Sequence, residues 1–178
     1  MATLVLGLGN DLYGDDGVGL HIIRSLKQEL AATKRPPGWT RDTHFEECCL
    51  SGLSILDVIV GYDNLLIIDT IKKDNPKTGR LCVLDGKDLR AIPGPSPHYV
   101  SVPQTLDIGR KASLHVPAKV KVIAVEAKSS YRLGEGLSQE MQNSLPTIIR
   151  KVKEVLEELS GKDHEKRNRR ARGNSRLE

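Results

Sequence analysis

Residues 3–23 read TLVLGLGNDLYGDDGVGLHII, and this stretch decides the fold. Residues 3–9 form a short apolar run that ends in glycine, the mark of a buried strand. From Asp16 onward the pattern turns helical. Val18, Ile22 and Leu26 recur every four residues, and Ile23 and Leu30 widen the stripe. A glycine-rich turn between a first strand and a first helix usually cradles a phosphate, but this one does not fit. The dinucleotide fingerprint requires G-x-G-x-x-G; Gly7 and Gly9 comply, but the last position is Leu12. No Gly-Lys-Ser/Thr follows either. A helix N-terminus favours one anion, and Asp15 and Asp16 already supply negative charge there. Two explanations stay open for these acids. One is capping of the first helix, worth about 1 kcal/mol. The other is a cation site.

Downstream, strands and helices alternate. Residues 40–49 are expected as a second strand and 51–61 as a short helix. NLLIIDT (64–70) is the clearest strand, four apolar residues followed by Asp69. RLCVLDG (80–86) and AKVKVIAVEA (118–127) read as two more strands, and 104–113 and 137–160 as helices. AIPGPSPHYVSVPQ (91–104) is a proline-rich loop. This order predicts an α/β three-layer sandwich: an open, mostly parallel, twisted sheet of about five strands with helices on both faces.

The chain has 178 residues, enough for one domain with a sizeable core. Aromatics make up 3 %, so that core rests on Val, Ile, Leu and Ala, which suits a parallel sheet. The net charge of +4 is carried entirely by residues 161–178, which hold seven Lys or Arg and three acids. Residues 1–160 hold 20 basic and 20 acidic side chains, so the body has no bias toward nucleic acid. The expected organisation is an α/β domain over 1–160 and a basic, disordered tail over 161–178. The three cysteines, Cys48, Cys49 and Cys82, form no C-x-x-C and suit a reducing cytoplasm. No basic leader and no apolar run near ~18 residues is present, so neither a signal peptide nor a membrane span is expected.

In open α/β sheets ligands bind beyond the carboxyl ends of the strands. Asp16, after the first strand, and Asp69, ending LLIID, are both expected at that edge. His98 in PGPSPHYVS lies on a loop that prolines stiffen, which lowers the entropy cost of fixing its side chain. Each has a plainer reading: a loop-capping carboxylate for Asp69, a surface imidazole for His98. Two carboxylates and one imidazole, with no thiolate, suit a divalent transition metal such as zinc or nickel. His21 falls off the apolar stripe and is expected in solvent, while His44, His115 and His164 carry less signal. No G-x-S-x-G elbow is present. Cys48 or Cys49 could pair with His98, but vicinal cysteines at a strand end read better as small hydrophobes.

LVLGLGNDLYGDDGVG (4–19), LLIIDTIKKDNPKTG (65–79) and SPHYVS (96–101), in that order and spacing, resemble the hydrogenase maturation proteases. The resemblance spans roughly residues 3–159. It implies an endopeptidase that removes the C-terminal extension of a nickel-loaded [NiFe]-hydrogenase large-subunit precursor. It places the family's catalytic and metal-binding acid, strand-end Asp and loop His on Asp16, Asp69 and His98. The cofactor so implied is nickel, supplied by the precursor rather than permanently bound, and the partner is that precursor. A cytoplasmic monomer without nucleic-acid or membrane partners is expected. A nickel-handling assembly chaperone and an α/β peptidase holding its own zinc are the alternatives. One departure stands out. Where the family carries an Asp-Gly and Gly-Thr segment after the second strand, this chain has EECCLSGLS (46–54), keeping only Ser51-Gly52.

Overall fold

The computed structural model describes residues 1–34, 37–89, 101–128, 133–134 and 136–174, with only the course of the helix given for 161–174. The strands are β1 Thr3–Leu8, β2 Thr43–Cys48, β3 Asn64–Ile71, β4 Leu81–Asp85 and β5 Lys119–Glu126. The helices are α1 Val18–Ala32, α2 Leu56–Ile59, α3 Val102–Lys111 and α4 Gln139–Asn174. The strands form one sheet in the order β2-β1-β3-β5-β4. All neighbours pair parallel except β4, which runs antiparallel to β5. The expected mostly parallel α/β sheet is therefore present.

Alternation along each strand explains the layers, because successive side chains point to opposite faces. Val5, Leu66, Ile68, Ile123 and Val125 pack on one face against α1 and α4. Leu4, Leu6, Leu65, Ile67 and Val122 pack on the other, against Ile55, Ile59 and Leu106 from α2, its approach and α3. β1 is buried over its whole length, which is why it reads as a continuous apolar run rather than an alternating one. The helix expected over 51–61 is split. A 3₁₀ turn covers Gly52–Ile55, α2 follows, and Gly61 at φ 93° takes the chain into β3. Likewise a 3₁₀ turn at Gly14–Gly17 precedes α1, which starts at Val18 rather than Asp16.

Helix α4 runs through the expected boundary at 160 to Asn174. Its apolar contacts with the core run from Met141 to Leu159, and the sequence beyond is nearly devoid of large apolar side chains. Deleting residues 161–178 is therefore expected to leave the thermal midpoint within about 2 °C of the full chain, since the segment holds a single large apolar residue, Leu177, to bury. Calorimetry of the two forms checks this. No described helix is long and apolar enough to cross a membrane.

Candidate active site at the carboxyl edge of the sheet

The sheet changes winding direction between β1 and β3. β1 leads outward to β2 through α1 on one face; β3 leads the other way, with α2 on the opposite face. At such a switch point the loops leaving the two strands diverge and open a crevice beyond their carboxyl ends. The opening turn follows β1, and Asp69 and Thr70 close β3, so both elements feed this crevice.

Close packing fixes the turn. A side chain at Gly19, the second residue of α1, would collide with the Leu8 and Ile68 carbonyls. The helix thus lies against the ends of both strands. Gly9 has φ 145°, and a side chain there would collide with the Asp16 carbonyl. The chain can fold back over itself here only with glycine, and that fold presents Asp16 toward β3.

The three acids of the turn have three separate tasks. Asp11 Oδ2 meets Arg24 Nη2 at 2.8 Å, and the same guanidinium binds Glu47 Oε2 through Nη2 at 2.6 Å and Nε at 2.8 Å. These charge-assisted bonds, Glu47 first and Asp11 next, raise the Arg24 pKa. Asp15 is buried, with Oδ1 accepting from Ser138 N–H at 2.7 Å and Oδ2 from Ser138 Oγ at 2.8 Å. Ser138 Oγ in turn accepts from Met141 N–H at 3.2 Å, which caps the start of α4. Asp16 Oδ1 accepts from Thr70 Oγ1 at 3.0 Å. The capping explanation for Asp15 and Asp16 is thus corrected: α1 begins at Val18, and its N-cap residue is Gly17, with no side-chain cap. Asp15 instead orders the residue that caps a helix 123 positions away. Replacing Asp15 with Ala is expected to destabilise the protein by about 1–3 kcal/mol, because both hydrogen bonds from Ser138 to the buried Asp15 carboxylate are lost together. Urea unfolding checks the figure.

Asp16 and Asp69 come together at Thr70. The Thr70 hydroxyl donates to Asp16, and its backbone N–H donates to Asp69 Oδ1 at 2.7 Å. Among the described residues the second oxygen of each carboxylate accepts no hydrogen bond. Burial pushes the Asp69 carboxyl up to about 6, the Thr70 N–H pulls it down, and the Asp16 charge pushes it up again. Two carboxylates so placed resist joint ionisation unless a proton or a cation sits between them. Oxygen donors of this kind, with an imidazole added, are a sound fit for a divalent transition metal. His98 lies outside the described residues. Among the described residues no three His, Cys, Asp or Glu side chains converge as a metal site.

The remaining sequence candidates have other surroundings. His21 Nε2 is 3.7 Å from Asp11 Oδ1 and half-exposed. His44 stacks edge-on with Tyr62, and His115 pairs with Asp63 at 3.1 Å at the opposite edge of the sheet. Cys48 is buried, and burial pushes its thiol up, whereas Cys49 is exposed.

Sequence reasoning missed Thr70, Arg24 and Glu126. Thr70 directly follows Asp69 in LLIIDT, so adjacency was the available signal. Arg24 and Glu126 had none. The buried Glu126 carboxylate, at the end of β5, is held well below the usual range, at about 2, by Arg80 first, with further bonds from Lys77 N–H and Lys73. Arg80 binds it through Nε and Nη2, each at 2.8 Å, and Lys73 Nζ lies at 3.1 Å. This clamp fastens the loop between β3 and β4 over the same edge.

A family model described as hydrogenase maturation protease matches residues 22–155. That span includes Asp69 and His98 and begins just after the opening turn. Among solved structures, the hydrogenase maturating endopeptidase HybD from E. coli superposes with TM-score 0.73 at 23% identity, covering 90% of this chain and 94% of that one. The [NiFe] hydrogenase maturation protease HybD from Thermococcus kodakarensis gives TM-score 0.60 at 21% identity, covering 88% and 99%. The HycI protease from Thermococcus kodakarensis KOD1 gives 0.62 at 21%, covering 88% and 92%. At these identities the structures share the fold. No curated protein matches the chain in sequence.

Proposed function

The chain belongs to the hydrogenase maturation protease family, a family of peptide hydrolases, and we propose that it removes the C-terminal extension of a [NiFe]-hydrogenase large-subunit precursor once nickel is in place. The observation that carries this reading is the pairing of Asp16 with Asp69 through Thr70 at the switch-point crevice. A half-buried carboxylate pushed up to about 6 beside a second carboxylate is a site waiting for positive charge. In this proposal the charge arrives with the substrate. Asp16, Asp69 and His98 are the residues that would meet the nickel, whose chemistry is to polarise a scissile carbonyl and acidify a bound water.

The chain's own groups supply the rest. Thr70 holds both carboxylates in register through two hydrogen bonds. Asp69, with an affinity for protons near neutral pH, is suited to accept the proton of the attacking water and pass it to the leaving amine. Asp16 contributes the second carboxylate, held by the Thr70 hydroxyl at the same crevice. The hydrolysis balances: water adds across one peptide bond, leaving a new carboxylate on the subunit and an amine on the released peptide.

The test is the precursor's mass before and after incubation with this protein, with nickel loaded and with nickel absent. Loss of one C-terminal peptide from the loaded form alone is the expected result. Binding without any change in mass would establish an assembly chaperone instead. Equal cleavage of both forms would favour a peptidase holding its own zinc.

A further inference from the structure

Eight large apolar side chains are exposed among the described residues, and four are leucines on loops at the carboxyl edge. Leu12, 59% exposed, stands in the turn entering α1. Leu133, 78% exposed, follows β5. Leu50 and Leu53, 47% and 46% exposed, lie between β2 and α2. Singly, exposed leucines need no explanation; gathered on the loops around one crevice, they do.

These positions are built into ordered turns. Leu12 N–H donates to Asn10 Oδ1 at 3.0 Å, and Tyr13 N–H to the Asn10 carbonyl at 3.0 Å. Gly134 N–H donates to the Leu12 carbonyl, and Gly14 N–H to the Gly134 carbonyl, both at 3.1 Å. That bridge sets Leu133 beside Leu12. Leu50 N–H bonds Cys48 Sγ at 3.4 Å, and Leu53 belongs to the 3₁₀ turn that enters α2. The turn carrying Leu12 leads into α1 on one face of the sheet, and the turn carrying Leu53 leads into α2 on the other, so the two leucine pairs sit on loops serving opposite faces at the carboxyl edge.

The third bank has the opposite character. The β3–β4 loop carries Lys72, Lys73, Lys77 and Arg80 against one acid, Asp74. Glu126 clamps it through Arg80, Lys73 and the Lys77 N–H, leaving the Lys72 and Lys77 residues exposed. A ligand crossing the crevice therefore meets leucine on both lips and lysine toward β4.

We propose that this rim is the docking surface for the precursor: a segment with apolar residues where it crosses the crevice and acidic residues where it passes the β3–β4 loop. The inference rests on the proposed cleavage of a hydrogenase precursor and adds how that substrate is gripped. The rim governs affinity, while Asp16 and Asp69 govern the chemical step.

The experiment measures binding and cleavage of nickel-loaded precursor separately, using full-length wild type and four variants of checked folding. Leu12→Ser/Leu133→Ser and Leu50→Ser/Leu53→Ser are each expected to weaken binding roughly tenfold, with the cleavage rate at saturating precursor unchanged. Lys72→Glu/Lys77→Glu is expected to weaken binding and to flatten its salt dependence. Leu114→Ser, an exposed leucine in the loop entering β5 at the far edge, is expected to bind as wild type. Wild-type affinity in both leucine pairs, or equal weakening by Leu114→Ser, overturns the rim. If wild type binds the precursor through the rim yet leaves it uncut, the cleavage reading falls and the docking surface stands. If wild type neither binds nor cuts it, both fall.

Discussion

Asp69→Asn is expected to make the metal-free protein more stable at pH 7 while reducing precursor cleavage by at least about a thousandfold. The stability half follows from the site's electrostatics. The folded-state carboxyl is pushed from 3.8 up to about 6, first by burial. Above about 6 it is ionised in both folded and unfolded chains, so at pH 7 the folded state bears the whole cost of holding that charge. As pH falls through about 6 the folded state takes up its proton first, and the cost shrinks; below about 3.8 it is gone. An amide is never ionised and can still accept from the Thr70 N–H. Two units correspond to about 3 kcal/mol at full burial, and the partial exposure of Asp69 brings this to about 1–2 kcal/mol. The variant should melt about 3–6 °C higher at pH 7, with the gain vanishing near pH 4. Asp16→Asn should abolish cleavage too. Unfolding curves across pH in chelator, beside a cleavage assay, decide the matter. A variant that is less stable at pH 7, or one that still cuts at the wild-type rate, would remove Asp69 from the site.

Such a trade would be the sign of a residue kept for chemistry. β3 is buried from Asn64 to Ile68, and an apolar residue would extend that run naturally. The chain instead places an acid where the strand leaves the core, then a threonine whose two donors serve two acids.

Much of this was legible in the sequence because it depends on short-range pattern. Four apolar residues before an acid define both β3 and the edge where Asp69 emerges. The Val18, Ile22, Leu26 stripe defines α1, and the alternation of elements defines the sheet. What stayed hidden depends on long-range pairing. Nothing local to Asp15 says that it will hold Ser138 rather than cap its own helix. Nothing local to Glu126 says that a charge ending an apolar strand will be neutralised by Arg80 from a loop 46 residues earlier. The three acids of the opening turn look alike in sequence, and only their partners, Arg24, Ser138 and Thr70, separate them. The split of the 51–61 segment was hidden as well, because a 3₁₀ turn and a single α-turn share the periodicity of a short helix.

Free protein should carry sub-stoichiometric metal after chelator dialysis, and nickel-free precursor should remain uncut. A resident structural metal takes four protein ligands with an ordered second shell around them. Asp16 and Asp69 supply two carboxylates, and in the proposed site His98 adds one imidazole. The two acids repel one another, and the like charge of Asp16 helps keep the Asp69 proton on to about pH 6. A proton so held must leave before a cation can take full advantage of both oxygens, which weakens binding of free nickel further. Nickel already seated in the precursor changes the balance. Its remaining ligands come with it, the precursor's own contacts bring it to the crevice, and the weak site then works at high effective concentration. On the proposed function, cleavage would then be conditional on metal loading without any stored metal, and the extension would be removed only from a finished subunit. Elemental analysis of dialysed protein, followed by cleavage of loaded and unloaded precursor, measures both halves. Stoichiometric metal that survives the chelator, or equal cleavage of unloaded precursor, would replace this checkpoint with a resident-metal peptidase.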